Sequence, residues 1–179
     1  MTAPARLAWL NSLAAEEAAA ELLACCGSSA WARALAACRP FAGEETLFAA
    51  AERIWWGLRP EDWREAFAAH PRIGESPAAG RSAAWSEAEQ AGARRAGAAI
   101  LDELAAANHA YEARFGHVFL ICAAGKSAEE MLAALRDRMV NEPPQELRIA
   151  AAEQAKITRL RLARLRAPGV AVIPGGPVP

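Results

Sequence analysis

Pro60-Glu61-Asp62-Trp63-Arg64-Glu65-Ala66-Phe67-Ala68-Ala69-His70-Pro71 decides the fold class and supplies the first candidate for chemistry. Proline at the first position and acids in the first turn mark a helix start, where a missing N–H costs little and negative charge meets the positive end of the helix dipole. Trp63 and Phe67 recur at helical spacing, and His70 continues their stripe at i+7. Pro71 disfavours helical geometry at His70, so the helix stops there and the imidazole leaves its end facing inward. Histidine is the side chain best suited to moving a proton near neutral pH, although a lone histidine at a helix end is more often structural.

Working outward, the 179-residue chain reads as all-α, a single-domain helical bundle over residues 1–167 with a Pro/Gly-rich flexible tail over 168–179. Asn11 or Ser12 caps a long helix through Cys25 and Cys26 that Gly27 stops; Ser28 and Ser29 open a second, Ala30 to Cys38, ahead of Arg39-Pro40-Phe41. A third covers Glu44 to Trp56 and presents Leu47, Ile54 and the neighbouring tryptophans to the core. Residues 74–85 have the composition of a loop. Ser86 begins a helical pattern that reaches Phe115, with a break near Gly97 or Leu101, and Gly116 ends it. Val118-Phe119-Leu120-Ile121-Cys122-Ala123 is either an extended buried segment or a helix start, which periodicity alone does not separate. Ser127-Ala128-Glu129-Glu130 is a capping box leading a helix to about Asn141. Pro143-Pro144 breaks the chain before a last helix from Gln145 to Arg166.

A net charge of −1 with 23% charged residues gives no polyanion-binding surface, so nucleic acid is not an expected partner. No apolar run is long enough to span a bilayer, and Met1-Thr2-Ala3-Pro4-Ala5-Arg6 lacks the apolar core of a signal peptide. The four cysteines (Cys25, Cys26, Cys38, Cys122) form no CxxC pair and read as reduced thiols of a cytoplasmic protein, not as metal ligands. P-loop, dinucleotide, zincin and GxSxG signatures are missing, so neither metal nor cofactor is expected.

Two further constellations carry polar chemistry. Ser86-Glu87-Ala88-Glu89-Gln90 has the Ser-x-x-Glu spacing of a capping box, in which each side chain satisfies a backbone donor. That role is compatible with catalysis, because a helix amino terminus also offers amides to an anion. Arg161 lies four residues from both Ile157 and Leu165; on such a stripe it either binds a carboxylate or carbonyl, snorkels, or forms an internal ion pair. His109 sits mid-helix and His117 at a turn, neither with a nucleophile or metal pattern nearby.

Arg39-Pro40-Phe41, His70-Pro71-Arg72-Ile73-Gly74-Glu75, Ser86-x-x-Glu89-Gln90-Ala91-Gly92, Asn108-x-x-Tyr111-x-x-Arg114-Phe115-Gly116, Phe119-Leu120-Ile121-Cys122-Ala123 and Lys156-Ile157-x-x-Leu160-Arg161-Leu162 occur in that order. As an ordered set over about residues 10–165 they resemble the OHCU decarboxylase family, where OHCU is 2-oxo-4-hydroxy-4-carboxy-5-ureidoimidazoline. The resemblance implies an all-α fold, a homodimer, and cofactor-free decarboxylation of OHCU to (S)-allantoin and carbon dioxide in urate degradation. It implies that His70 is the acid–base group, that Glu89 bonds the substrate N–H groups and orients His70, and that Arg161 grips a carboxylate or carbonyl. Ser86, Glu87, Ala88 and Gln90 belong to the implied pocket, with backbone groups of Pro71 and of Phe119, Leu120, Ile121, Cys122 and Ala123 against a flat ureide. A relative acting on another ureide, or a non-catalytic all-α interaction module, remain the alternatives; a scaffold has no reason to keep His70, Glu89 and Arg161 together.

Overall fold

Capping side chains and prolines punctuate the chain into helices by occupying the amides that a first turn leaves without partners. The structure, a computed structural model, describes residues 2–73, 85, 86, 89 and 97–165. Residues 74–84 of the expected loop, the pair Ala91-Gly92 and the tail from residue 168 lie outside the described residues, and Trp85, expected to end that loop, is already helical. Within them are α1 (Ala3–Ser12), α2 (Ala15–Cys26), α3 (Ser29–Ala37), α4 (Glu44–Trp56), α5 (Pro60–Ala68), α6 (Ala98–Phe115), α7 (Ala128–Arg138) and α8 (Pro143–Arg164). Trp85, Ser86 and Glu89 also have helical backbone. Among the described residues there is no strand, so the architecture is all-α as expected.

Several starts match the expectation. Ser28 Oγ accepts from Trp31 N–H, and Ser127 and Glu130 form a reciprocal box, with Glu130 Oε2 2.7 Å from Ser127 N and Ser127 Oγ 3.2 Å from Glu130 N. Two expectations are corrected. Asn11 and Ser12 do not open the first long helix; they end α1. The Asn11 side chain is committed to the backbone of Phe41, donating to its carbonyl at 3.0 Å and accepting from its N–H at 2.9 Å, while Glu17 takes the Ala14 N–H that begins α2. The last helix also starts at Pro143, not at about Gln145: both prolines lie in the first turn of α8, where no N–H is required of them.

The buried apolar residues form two cores. The larger gathers α1–α5 and α8 around Leu10, Leu22, Trp31, Leu47 and Phe67; the smaller joins α6 and α7 around Leu104, Tyr111, Met131 and Leu135. Buried tryptophans pay no hydrogen-bond penalty in the larger core, because Trp31, Trp55 and Trp63 each donate their indole N–H to a carbonyl at 2.9 Å. Trp56 differs from expectation: it is 40% exposed, edge-on to Trp63.

Residues 118–123, left open by sequence, are neither helix nor strand. Leu120 enters the larger core while Phe119, Ile121 and Ala123 enter the smaller, so the segment stitches the two together. Arg138 holds it there, donating to the Leu120 carbonyl at 2.8 Å with its guanidinium 4.6 Å from the Phe119 ring centroid. Arg138 is in turn paired with the fully buried Glu146, which also accepts from the Tyr111 hydroxyl and, at 2.7 Å, from Asn141.

α2 ends against the last turn of α5, directly before His70. Gly27 makes this possible: its φ is +86°, and a Cβ there would lie 2.6 Å from the Ala69 Cβ and 3.1 Å from the Ala66 carbonyl oxygen. Gly27→Ala should destabilise the protein by about 1–3 kcal/mol, combining left-handed strain with the close approach. Urea denaturation measures it; parent-like stability would show that the α2–α5 junction opens without cost.

Candidate active site

His70 leaves α5 as its sequence requires, its own N–H donating to the Phe67 carbonyl at 3.0 Å. The next residues are pinned to α6. Arg72 makes a two-pronged pair with Glu112 (Nε to Oε1 2.6 Å, Nη2 to Oε2 2.9 Å), and Asn108 donates to the Ile73 carbonyl at 3.3 Å. Between these anchors His70 and Pro71 line a small cavity of about 20 Å³, room for one water molecule.

Its other walls are Ile73, Ser86, Glu89, Phe119, Leu120, Ile121, Ala123 and Ile157. The structure therefore gathers His70, Pro71, Ser86, Glu89 and four of the five residues of the 119–123 run. Cys122 stands apart: its backbone N–H donates to Glu153 at 2.7 Å, and it lines a separate hollow with Lys126 and Lys156. Glu87, Ala88 and Gln90 lie outside the described residues. Sequence reasoning did not single out Ile73 and Ile157 as lining residues, although Ile157 is one helical turn before Arg161.

Arg161 stands behind this wall and is only 2% exposed. Its Nε donates to Glu89 Oε1 at 3.1 Å, and Nη2 donates to Glu89 Oε2 at 2.8 Å and to Ser86 Oγ at 3.0 Å. Of the alternatives that the sequence left open for Arg161, the structure displays the internal ion pair. The side chains of Ser86 and Glu89 face this guanidinium across the bundle, a contact made 75 and 72 residues along the chain. A buried guanidinium needs such partners, since an uncompensated charge out of water is costly.

The same charge acts on His70. Burial first, and then the positive Arg161, lower the imidazole pKa to about 3, while a hydrogen-bonding influence from Gln154 works the other way. In the unliganded protein His70 is therefore neutral near pH 7, with a lone pair available to accept a proton. His117 is also lowered, chiefly by burial among Phe67, Tyr111 and Phe115, and its Nδ1 lies 3.0 Å from the Val118 carbonyl; it is a core residue. Among the described residues no group of three or more His, Cys, Asp or Glu is placed to hold a metal ion.

Residues 11–163 match the family model described as OHCU decarboxylase. Among curated proteins, the chain is 42% identical over 146 residues to the uric acid degradation bifunctional protein TTL of Arabidopsis thaliana, covering 79% of this chain and 45% of that protein. It thus spans under half the length of that relative. It is 36% identical over 130 residues to the 2-oxo-4-hydroxy-4-carboxy-5-ureidoimidazoline decarboxylase of Amia calva, covering 69% of this chain and 73% of that one. A crystal structure of OHCU decarboxylase in the presence of (S)-allantoin superposes with a TM-score of 0.72 at 41% identity, over 81% of this chain and 96% of the other. A crystal structure of (S)-allantoin synthase, at 23% identity and TM-score 0.67, shares the fold over 88% of this chain and 52% of that one.

The depressed imidazole has a consequence for stability. Unfolded, His70 takes up a proton as pH falls through about 6.5; folded, it resists until about 3. The unfolded state then binds more protons, so stability is lost as pH drops from 6.5 toward 3. Calorimetry should show the melting temperature falling between pH 7 and pH 5, and falling less in His70→Gln. Equal falls in the two proteins would mean that His70 titrates as freely folded as unfolded.

Proposed function

We propose, from the premise that this chain belongs to the OHCU decarboxylase family, that it converts OHCU to (S)-allantoin and carbon dioxide without a cofactor. The observation that carries the reading is a neutral imidazole on one small cavity with Ser86 and Glu89, backed by the Arg161 guanidinium.

The substrate supplies its own electron sink. OHCU carries a carboxylate and a hydroxyl on one carbon beside a C=N bond. As carbon dioxide leaves, the C–C bonding pair forms a C=C bond and the C=N pair moves to nitrogen, which takes one proton from the medium. The hydroxyl then yields its proton as C=O forms, and one proton bonds to the neighbouring carbon. Negative charge thus moves from the carboxylate to the ring, and only contacts stronger to the ring in the transition state speed the step.

His70, neutral at the start, accepts the hydroxyl proton and returns a proton to carbon from one side, which makes the product a single enantiomer. Glu89 accepts hydrogen bonds from the ureide N–H groups, and Arg161 supplies the positive field that draws the anion in. Glu89 and Ser86 hold Arg161 until the substrate arrives. Pro71, Phe119, Leu120, Ile121 and Ala123 pack the flat ureide, with Cys122 supporting them from behind; Glu87, Ala88 and Gln90 complete the pocket. The whole domain, residues 1–167, acts as a cytoplasmic homodimer. Trp56, exposed beside Ile149 and Ala152, offers apolar surface to a second copy, and four free cysteines suit a reducing compartment. Among the described residues no helix is long and apolar enough to cross a membrane.

Glu89→Gln keeps a residue accepted at the third position of a capping box, so a purely capping Glu89 would leave stability and turnover unchanged. With its carboxylate on a buried guanidinium, the substitution should lower the melting temperature and sharply reduce turnover, the stability loss staying below the roughly 3–5 kcal/mol of a broken buried pair because one acceptor remains. Unchanged stability and turnover would mean that the Glu89 carboxylate serves neither Arg161 nor the substrate.

The deciding experiment generates OHCU in place from urate with urate oxidase and hydroxyisourate hydrolase, and follows optical activity after the protein is added. Spontaneous decay gives racemic allantoin, so chirality reports enzymatic protonation. The parent should give (S)-allantoin; His70→Ala should remain folded and lose about 10²–10⁴-fold in enantioselective turnover. Racemic product from the parent would overturn the assignment of activity, and parent-like rates in the variant would overturn that of His70.

A further inference from the structure

Four polar atoms among the described residues are buried with no hydrogen-bond partner, and two of them are Nε2 of His70 and Oε1 of Gln154, side chains close enough that Gln154 bears on the His70 titration. Gln154, fully buried on α8, is otherwise committed. Its Nε2 donates to the Cys26 carbonyl at 3.3 Å and to Thr158 Oγ1 at 3.0 Å. Both amide protons are spent, so the carboxamide can present only its oxygen elsewhere. Flipping it would set Oε1 against the Cys26 carbonyl, acceptor against acceptor, and forfeit that bond.

We infer that Gln154 is a positioning residue for His70, its Oε1 accepting the imidazole Nε2–H and leaving Nδ1 as the bare nitrogen that takes the substrate's proton. The inference rests on His70 being the acid–base group proposed above. A neutral imidazole has one N–H and one lone pair, and the partner of the N–H decides which nitrogen is which. A carboxamide does this without adding charge. Arg161 is the nearby positive group, balanced by Glu89, and the Cys26 thiol at the end of α2 is pushed up to about 12 by burial and stays neutral. Among the described residues no carboxylate acts on its titration, and the imidazole stays in the neutral form that accepts a proton. The contact also explains the junction of three helices: Cys26 ends α2, His70 follows α5, and Gln154 on α8 spans both.

Gln154→Glu keeps the shape and replaces a neutral acceptor by an anionic one, which favours the charged imidazole. Nitrogen-15 NMR of the full chain reads the three imidazoles, and His70→Gln identifies the signal of His70. The parent should show Nε2–H with a bare Nδ1; an Nδ1–H tautomer overturns the inference. In Gln154→Glu the imidazole pKa should rise by about 1–3 units, and the acid limb of kcat/KM should move up with it. An unmoved titration overturns the inference. Gln154→Met, which removes the acceptor and keeps the volume, should lower kcat by about 10–10³-fold with KM little changed; parent-like kcat overturns it. The tautomer and titration are read without substrate, so they decide the role of Gln154 even if the parent does not turn over OHCU.

Discussion

A helix that buries Glu146, Gln154, Thr158 and Arg161 along one length must find each of them a partner, and those partners organise the molecule. Glu146 takes Tyr111 from α6, Arg138 from α7 and Asn141 beyond it. Gln154 takes the last carbonyl of α2, and Arg161 takes Ser86 and Glu89. Each bond replaces one that water would make, so none adds much net stability. Leaving any unmade would cost the full desolvation penalty, and this makes the arrangement specific. α8 is thereby the axis on which both cores and the cavity are fixed.

The cavity lies on the seam between the two cores. Its floor is the non-helical run from Phe119 to Ala123, whose side chains divide between them. A helix there would satisfy its own backbone; this run instead uses Arg138 for the Leu120 carbonyl and Glu153 for the Cys122 amide. Charged side chains on α7 and α8 thus shape a wall they do not line. The opposite wall, His70 to Ile73, is held to α6 by the Arg72–Glu112 pair and by Asn108. The ion pairs Arg72–Glu112 and Arg138–Glu146 thus hold both sides of the seam without entering the cavity.

Charge and burial set the chemistry together. Arg161 lies close enough to depress His70 and is buried deeply enough that water does not screen it. A positive group of this kind keeps the imidazole unprotonated, which the proposed proton-accepting role requires. Glu89 balances the guanidinium, so the buried net charge is small.

The sequence by itself determined the helical class, most helix boundaries and the end of α5 at His70, because proline, capping residues and 3.6-residue periodicity act within a few residues of one another. The ordered motifs also marked His70, Glu89 and Arg161 as candidates. Local signals misled at Asn11, whose side chain serves Phe41 thirty residues away, and at Pro143-Pro144, where the same residues that break a helix also begin one. Tertiary structure alone decided that residues 118–123 are not helical, that Cys122 stands off the cavity, and that Glu89 meets Arg161. It alone placed Gln154 beside His70. The stripe Gln154-Thr158-Arg161 was visible at i, i+4 and i+7, but a polar stripe on a helix reads equally as a solvated face. Only packing against α2 and α5 turned it inward, because burial depends on what approaches from elsewhere in the chain, and that information is not local.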